Sequence, residues 1–349
     1  MKILHIISSL NIGGAERLIS DMLPLLKPKV DEISILVYKR VYNQFEEQLS
    51  NAGIKIINLD CNSFFHPLIF YSLIIKMRGY DVAHVHLFPA LYQAAIAGLF
   101  VNTKLIYTEH SSSNKRRSYP ILKYIERWVY GRYKLVACVS DLTQKNIIDW
   151  IGGLNDRFII VPNGINLKAF SVDIGEKEYP FTIIMISRFR EPKDQPTVIK
   201  AMSYINQDVH LIFVGDGETR TSCEELTRQI GVKERVHFVG KQENVAHWIA
   251  KANVGILSSK WEGLPLTIVE MMAGGLPVVA SDAEGIRQVV GDAGLMFGVG
   301  NYKQLASIIN KLYEDNHLYK CIAQKCHKRA SLYDINQTAD QYLNLYHQV

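Results

Sequence analysis

The chain has 349 residues, 48% of them apolar and 21% charged, an ordinary soluble globular composition long enough for two domains with a core each. The net charge of +5 is uneven: residues 1–170 hold 20 Lys and Arg against 13 Asp and Glu, the remainder 19 against 21. Five scattered cysteines without a Cys-x-x-Cys pair argue against a disulfide framework and a zinc site, and the neighbours Cys321, Cys326 and His327 fall in a polar helical segment. Met1-Lys2 leads straight into a strand-like run, so no signal peptide is expected. The uncharged run 82–103 contains His84, His86, Pro89, Gln93 and Asn102, and it divides into a buried strand and a helix rather than a membrane span.

In the first half, short Ile/Leu/Val strands are predicted at 3–8, 33–38, 55–59, 81–86, 104–109 and 135–139, with helices between them, the rhythm of a buried parallel sheet. Gly13-Gly14-Ala15-Glu16 follows the first strand. It is not the Gly-x-Gly-x-x-Gly fingerprint, so a dinucleotide dehydrogenase loses its support. The two glycines either form a common turn or let the backbone approach a ligand closely. His84 and His86 end a strand on one face; His84 reads as packed, and His86 as either a rim histidine or an acceptor contact. Thr108-Glu109-His110 closes the next strand. Between Lys104 and Lys134 stand eight basic residues, Arg116 and Arg117 among them, interleaved with Tyr119, Tyr124, Trp128, Tyr130 and Tyr133. Nothing else in the chain looks like a nucleic-acid module. The stretch reads as a surface for anionic lipid or as a solvated face.

The polar segment 171–180 reads as a linker. Strands then resume at 181–187, 209–215, 236–239, 254–258, 277–280 and 295–296, with helices near 302–314 and 336–346. The fold class is α/β: two doubly wound, Rossmann-like domains that bind ligands at the carboxyl ends of their strands, in the cleft between them. Arg188 and Lys193 stand in the loop after the first strand of this half. No Asp-x-Asp occurs; Asp216-Gly217-Glu218 is a near miss in a strand-end turn.

The most informative stretch is 261–280, which reads as loop, helix, turn and strand. Pro265 suits the first helical position, and Leu266, Val269, Met272 and Ala273 recur at helical spacing before Gly274-Gly275. The unpaired amides near Leu266 and Thr267, at the positive end of the helix dipole, make an anion site. Glu262 and Glu270 would repel that anion, so each must face hydroxyl donors instead, as on a sugar or a ribose.

Glu262 and Glu270, followed by Gly-Leu-Pro-Val-Val-Ala-Ser-Asp, resemble the paired-glutamate signature of family 4 retaining glycosyltransferases of the GT-B fold. The resemblance spans nearly the whole chain, strongly after Phe181. It implies an N-terminal acceptor-side domain over 1–170, a nucleotide-sugar domain over 181–332, and a terminal helix near 333–349 that crosses back to the first domain. By this resemblance Arg188, Lys193 and the Leu266 and Thr267 amides hold the donor diphosphate, with Leu264 and Gly14 also on the donor side. Gly240 lies beside the nucleobase, Glu270 on the ribose and Glu262 on the sugar. His110 and Glu262 are the catalytic candidates; Gly13, His86, Arg116 and Arg117 lie on the acceptor side. The implied substrates are a nucleotide-diphosphate sugar, with UDP as the nucleotide, and a glycan or lipid-linked acceptor at the inner face of the cytoplasmic membrane. No metal and no cofactor are implied. Two rivals are a catalytically silent partner subunit and a sugar-nucleotide epimerase. Pro265 and Glu284 depart from the glycines common in the family and make the sugar unreadable.

Overall fold

The structure, a computed structural model, describes residues 1–11, 13–61, 68–111, 115–171 and 178–349. The chain forms two compact units, 1–164 with 335–349, and 165–334. Most of the predicted linker, 172–177, lies outside the described residues. Residues 165–170, read from sequence with the first half, cluster with the second. Ile165 and Phe170 are buried in its core, and the Ile165 amide donates to the Tyr333 carbonyl.

The first unit holds a seven-stranded sheet: β1 (Lys2–Ile7), β2 (Glu32–Val37), β3 (Lys55–Asn58), β4 (Val82–His86), β5 (Lys104–Glu109), β6 (Leu135–Cys138) and β7 (Phe158–Ile160). All pairs are parallel, in the order β3-β2-β1-β4-β5-β6-β7. Ile3 of β1 sits opposite Ile33 on one side and Val82 on the other. Helices cover both faces, which is why the strands are continuous apolar runs. Strand β7 was not expected; three residues between a Gly-Gly turn and Pro162 are too short to show a period.

The second unit repeats the plan with six parallel strands: β8 (Phe181–Ile186), β9 (Val209–Val214), β10 (Val236–Phe238), β11 (Val254–Leu257), β12 (Val278–Ser281) and β13 (Leu295–Phe297). Their order is β10-β9-β8-β11-β12-β13. Ile183, Ile184, Met185, Leu211, Ile256 and Val279 are fully buried, each contributing about 1.5–3 kcal/mol by removal from water.

The terminal helix, Ile335–His347, belongs to the first unit. Its Ile335, Ala339, Tyr342 and Tyr346 are buried with Ile3, Ile7 and Ile19, against the helix Gly14–Leu26. Among the described residues no helix is long and apolar enough to cross a membrane. In each sheet the strand order reverses once, between β1 and β4 and between β8 and β11. There the connections leave to opposite sides and open a crevice at the carboxyl ends of the strands, the general ligand site of such sheets. Gly13 and Gly14 follow, and His86 ends, strands at the first of these points, and Arg188, Lys193 and Glu262 follow strands at the second; His110 and Gly240 follow β5 and β10, farther along the sheets.

Candidate functional site

In the second unit the loop after β8 and the loop after β11 meet at the reversal. Lys193, in the first, forms an ion pair with Glu262, in the second. Both side chains are mostly shielded, at 13% and 12% exposure. Ser259 Oγ donates to the same Glu262 oxygen at 2.8 Å. Further bonds tie the loops together: Lys260 N–H donates to the Pro192 carbonyl at 2.9 Å, Ser258 Oγ donates to Asp194 at 3.3 Å, and Lys260 pairs with Glu191. Arg188 is exposed and has no side-chain hydrogen-bond or ion-pair partner among the described residues, while Gln195 Nε2 fixes its carbonyl at 2.9 Å. One cation is thus held by a carboxylate and the other is presented to solvent.

Two glycines permit this packing. A Cβ on Gly215, at the end of β9, would lie 2.0 Å from the Ser187 carbonyl oxygen, against the backbone that carries Arg188. Gly285 has φ +83°, and its Cβ would lie 1.9 Å from the Glu262 carbonyl oxygen; the Glu262 amide in turn donates to the Glu284 carbonyl at 3.1 Å. The segment after β12 is therefore the floor under Glu262. Neither contact is visible in sequence, because each depends on which strand ends become neighbours. Gly240 follows β10 with φ +74°, and its carbonyl accepts from Gly215 N–H at 2.8 Å.

The helix of the paired-glutamate stretch runs Leu266–Ala273, one residue later than expected. Pro265 lies before it, with φ −78° and ψ 84°, close to an inverse γ-turn. That turn closes a Leu266 N–H to Leu264 carbonyl bond at 3.0 Å. The Leu266 amide expected on an anion is therefore engaged in the turn, while Thr267 stands at the next helical position. The Leu264 and Leu266 side chains pack on the core of this unit. Glu270 is buried, at 6% exposure, in the second turn.

In the first unit Gly13 caps and Gly14 opens the helix Gly14–Leu26, directly after β1. A Cβ on Gly14 would meet nothing within 4 Å, so its backbone is approachable, whereas one on Gly13 would strike Glu16. His110 follows β5. Its Nε2 lies 3.2 Å from His86 Nδ1, and His86 Nε2 lies 3.1 Å from His5 Nδ1. His84 bonds Tyr346 and Thr108, both at 2.7 Å. His84 is thus packed, as expected. His86 is not an acceptor contact: it is fully buried and spans two other imidazoles. Burial disfavours the charged imidazolium, holding His5 down at about 3, His110 at about 4, and His84 and His86 well below the ordinary range. His5, missed from sequence, alternates in phase with the strand and carried no signal of its own.

One ring nitrogen each from His5, His84 and His86 falls within 4.8 Å of the others, a spacing a metal could bridge. Every ring nitrogen of these three already has a hydrogen-bond partner. His110 Nδ1 has none among the described residues.

The basic stretch is also more internal than its composition suggests. Arg116 is not a free surface cation: its Nε donates to Glu126 at 2.7 Å, and its guanidinium lies over the rings of Phe88 and Tyr92. Glu126 is fully buried and also accepts from Tyr92 at 2.8 Å and Trp150 at 2.7 Å. Arg117 is half-buried, in the field of buried Glu109. Burial raises the Glu109 carboxyl, opposed by the Tyr130 hydroxyl at 2.7 Å and by Arg117. What remains exposed is Tyr119, Ile121, Tyr124 and Trp128, alongside Arg127, Arg132 and Lys134.

Residues 12–169 match the family described as Glycosyltransferase Family 4, and residues 168–329 match Glycosyl transferases group 1. An N-acetyl-alpha-D-glucosaminyl L-malate synthase of Bacillus anthracis is 30% identical over 79% of this chain and 77% of its own length. An N-acetylgalactosamine-N,N'-diacetylbacillosaminyl-diphospho-undecaprenol 4-alpha-N-acetylgalactosaminyltransferase of Campylobacter jejuni is 24% identical over 94% of both chains. Coverage is uneven, and one curated relative is matched over 57% of its length. The crystal structure of Anabaena Alr3699/HepE in complex with UDP and glucose superposes with a TM-score of 0.85 over 100% of both chains, at 23% identity.

Proposed function

This chain belongs to the family 4 glycosyltransferases of the GT-B fold, and on that premise we propose that it moves a sugar, with retention, from UDP to a lipid-linked glycan. The observation that carries the donor reading is the meeting of Lys193, Glu262 and exposed Arg188 at the β8/β11 reversal, beside the start of the helix bearing Glu270. A nucleoside diphosphate gains negative charge as its bond to the sugar breaks. Fixed cations and oriented amides stabilise that charge most in the transition state, which is what accelerates the reaction.

In this reading Arg188 and Lys193 hold the diphosphate, together with the Thr267 amide. Glu262 accepts hydrogen bonds from sugar hydroxyls and Glu270 from the ribose. The acceptor oxygen bonds to the anomeric carbon on the face from which the diphosphate leaves, and its proton passes to a phosphate oxygen. The two cations take the part that a divalent ion plays elsewhere, so no metal is invoked. The UDP and glucose bound in the Anabaena structure support the nucleotide assignment, and the diphospho-undecaprenol substrate named for the Campylobacter relative supports the acceptor class.

The acceptor class also suits the first unit. Tyr119, Tyr124 and Trp128 with Arg127, Arg132 and Lys134 fit the inner membrane surface, aromatic rings at headgroup level and cations on anionic lipid. Replacing Tyr124 and Trp128 together by Ser should release the protein from anionic vesicles in a sedimentation assay without altering nucleotide binding.

The direct test of the donor reading is a panel of sugar nucleotides in thermal melting. The true donor should raise the melting temperature by mass action, and Arg188→Ala should abolish the rise. A panel in which no sugar nucleotide moves the transition would contradict the reading.

A further inference from the structure

Two buried serines in the second unit connect the Glu262 carboxylate to the sheet. Ser259 stands two residues past the end of β11, and Ser281 closes β12, the neighbouring strand. Both are fully buried. Ser281 Oγ grips the Ser259 backbone on both sides. It accepts from the Ser259 N–H at 2.9 Å and donates to the Ser259 carbonyl at 2.7 Å, nearer than the Leu257 carbonyl at 3.5 Å. Ser259 Oγ in turn donates to Glu262 Oε1 at 2.8 Å, the same oxygen that pairs with Lys193. A hydroxyl has one hydrogen to give, so the donor of each serine is committed.

The partners of Glu262 leave one opening. Oε1 accepts from both Ser259 and Lys193, whereas Oε2 has no partner among the described residues. Oε2 is not one of the sealed polar atoms either, and the side chain keeps 12% exposure. A half-turn of the carboxylate exchanges its two oxygens and gives the same arrangement, one held and one open. An ionised carboxylate only accepts, so Oε2 calls for an O–H or N–H donor. Lys193 has Glu262 as its only partner among the described residues. An ammonium has three N–H donors, so others remain for an anion alongside. An open acceptor and an open cation are thus fixed side by side, which suits a sugar hydroxyl next to a phosphate.

We propose that Ser259 and Ser281 are positioning residues for Glu262: they hold Oε1 against the sheet and so present Oε2 to a hydroxyl of the transferred sugar. The sugar, rather than the nucleotide, is then the part of the donor that is read through them. The inference rests on the reading of Glu262 as the carboxylate that faces the sugar. Neither serine touches substrate, since both are buried. Held by Lys193 alone, the carboxylate can swing with a flexible ammonium stem, and Oε2 loses its fixed place. A site preorganised to accept a hydroxyl favours donors that carry one there.

The test titrates the full chain with UDP and with UDP-glucose, UDP-galactose and UDP-N-acetylglucosamine, and follows the sugar nucleotide that wild type binds best. Ser259→Ala removes one hydroxyl. It should raise the Kd for that sugar nucleotide about tenfold, the scale of a hydrogen bond to a charged group, while the Kd for UDP stays the same. Ser281→Ala should act in the same direction, and unchanged UDP binding shows that either variant is folded. In a Glu262→Ala background, Ser259→Ala should have no further effect on the sugar nucleotide, because it acts through that carboxylate. Wild-type affinity for the sugar nucleotide in Ser259→Ala or Ser281→Ala overturns the proposal. An equal loss of UDP and sugar-nucleotide binding does so too, as does a further loss in the Glu262→Ala background. A wild type that binds neither UDP nor any of the three sugar nucleotides overturns instead the donor reading beneath the proposal.

Discussion

Lys193 and Glu262 illustrate how far a residue's chemistry could be read in advance. Each was recognisable in the sequence, but their ion pair was not, because it depends on β8 and β11 being neighbours. The pair is mostly shielded, so removing one partner leaves the other charge poorly solvated. Glu262→Gln should therefore lower stability by about 1–3 kcal/mol in urea unfolding, and should abolish transfer. Combining it with Lys193→Met should restore much of that stability without restoring activity, since the double change removes both charges. A single variant with normal turnover would show that Glu262 is structural only. Gly285 is the residue whose role was least legible. Its neighbour is a carbonyl 23 positions earlier, and only the coordinates reveal that a methyl group there would collide with it. Gly285→Ala should displace the Glu262 loop and cost about 100-fold in kcat/KM, with the far-ultraviolet circular dichroism unchanged; activity within a few-fold of wild type would contradict that.

At the scale of elements, the strands were the most legible feature because parallel strands buried on both faces need unbroken apolar runs. Strand β7 was too short to show one. Helix starts were less legible. Pro265 fits both the first helical position and the turn before it, and the backbone took the second option, which engages the Leu266 amide. The basic run 104–134 misled for a different reason: composition cannot tell that Arg116 turns inward to a buried Glu126. The histidine cluster joins β1, β4, β5 and the terminal helix, and it makes their packing sensitive to acid. Each of the four histidines has its folded value depressed below the ordinary 6.5. The folded state thus binds fewer protons than the unfolded chain, and stability is fully present above about pH 6.5. It should decline as the pH falls from there toward 4, by about 1.4 kcal/mol per pH unit for each histidine that titrates only on unfolding. Urea unfolding at pH 7.5 and 5.5 checks the sign, and His5→Gln should reduce the slope. Equal stability at both values would mean that these imidazoles are charged in the folded state.

At the scale of the whole molecule, one topology is used twice, and each copy carries candidate residues at or beside the point where its own strand order reverses. The second copy offers cations, two carboxylates and a helix start; the first offers a histidine bonded to a buried cluster of histidines and tyrosines, with aromatic and basic residues exposed on its surface. The chain also returns at residue 335 to finish the first unit, so removing 335–349 should strip Tyr346 from His5 and His84 and expose the core they share. A truncated protein that melted like the intact one would contradict that packing. The proposed reaction turns on cations meeting a diphosphate leaving group. The measurement that tests it most directly is acceptor-dependent release of UDP from a UDP-sugar, in wild type and in Arg188→Ala. Release should require a lipid-linked glycan and fall at least about 100-fold in the variant. Equal rates in the two proteins would contradict it.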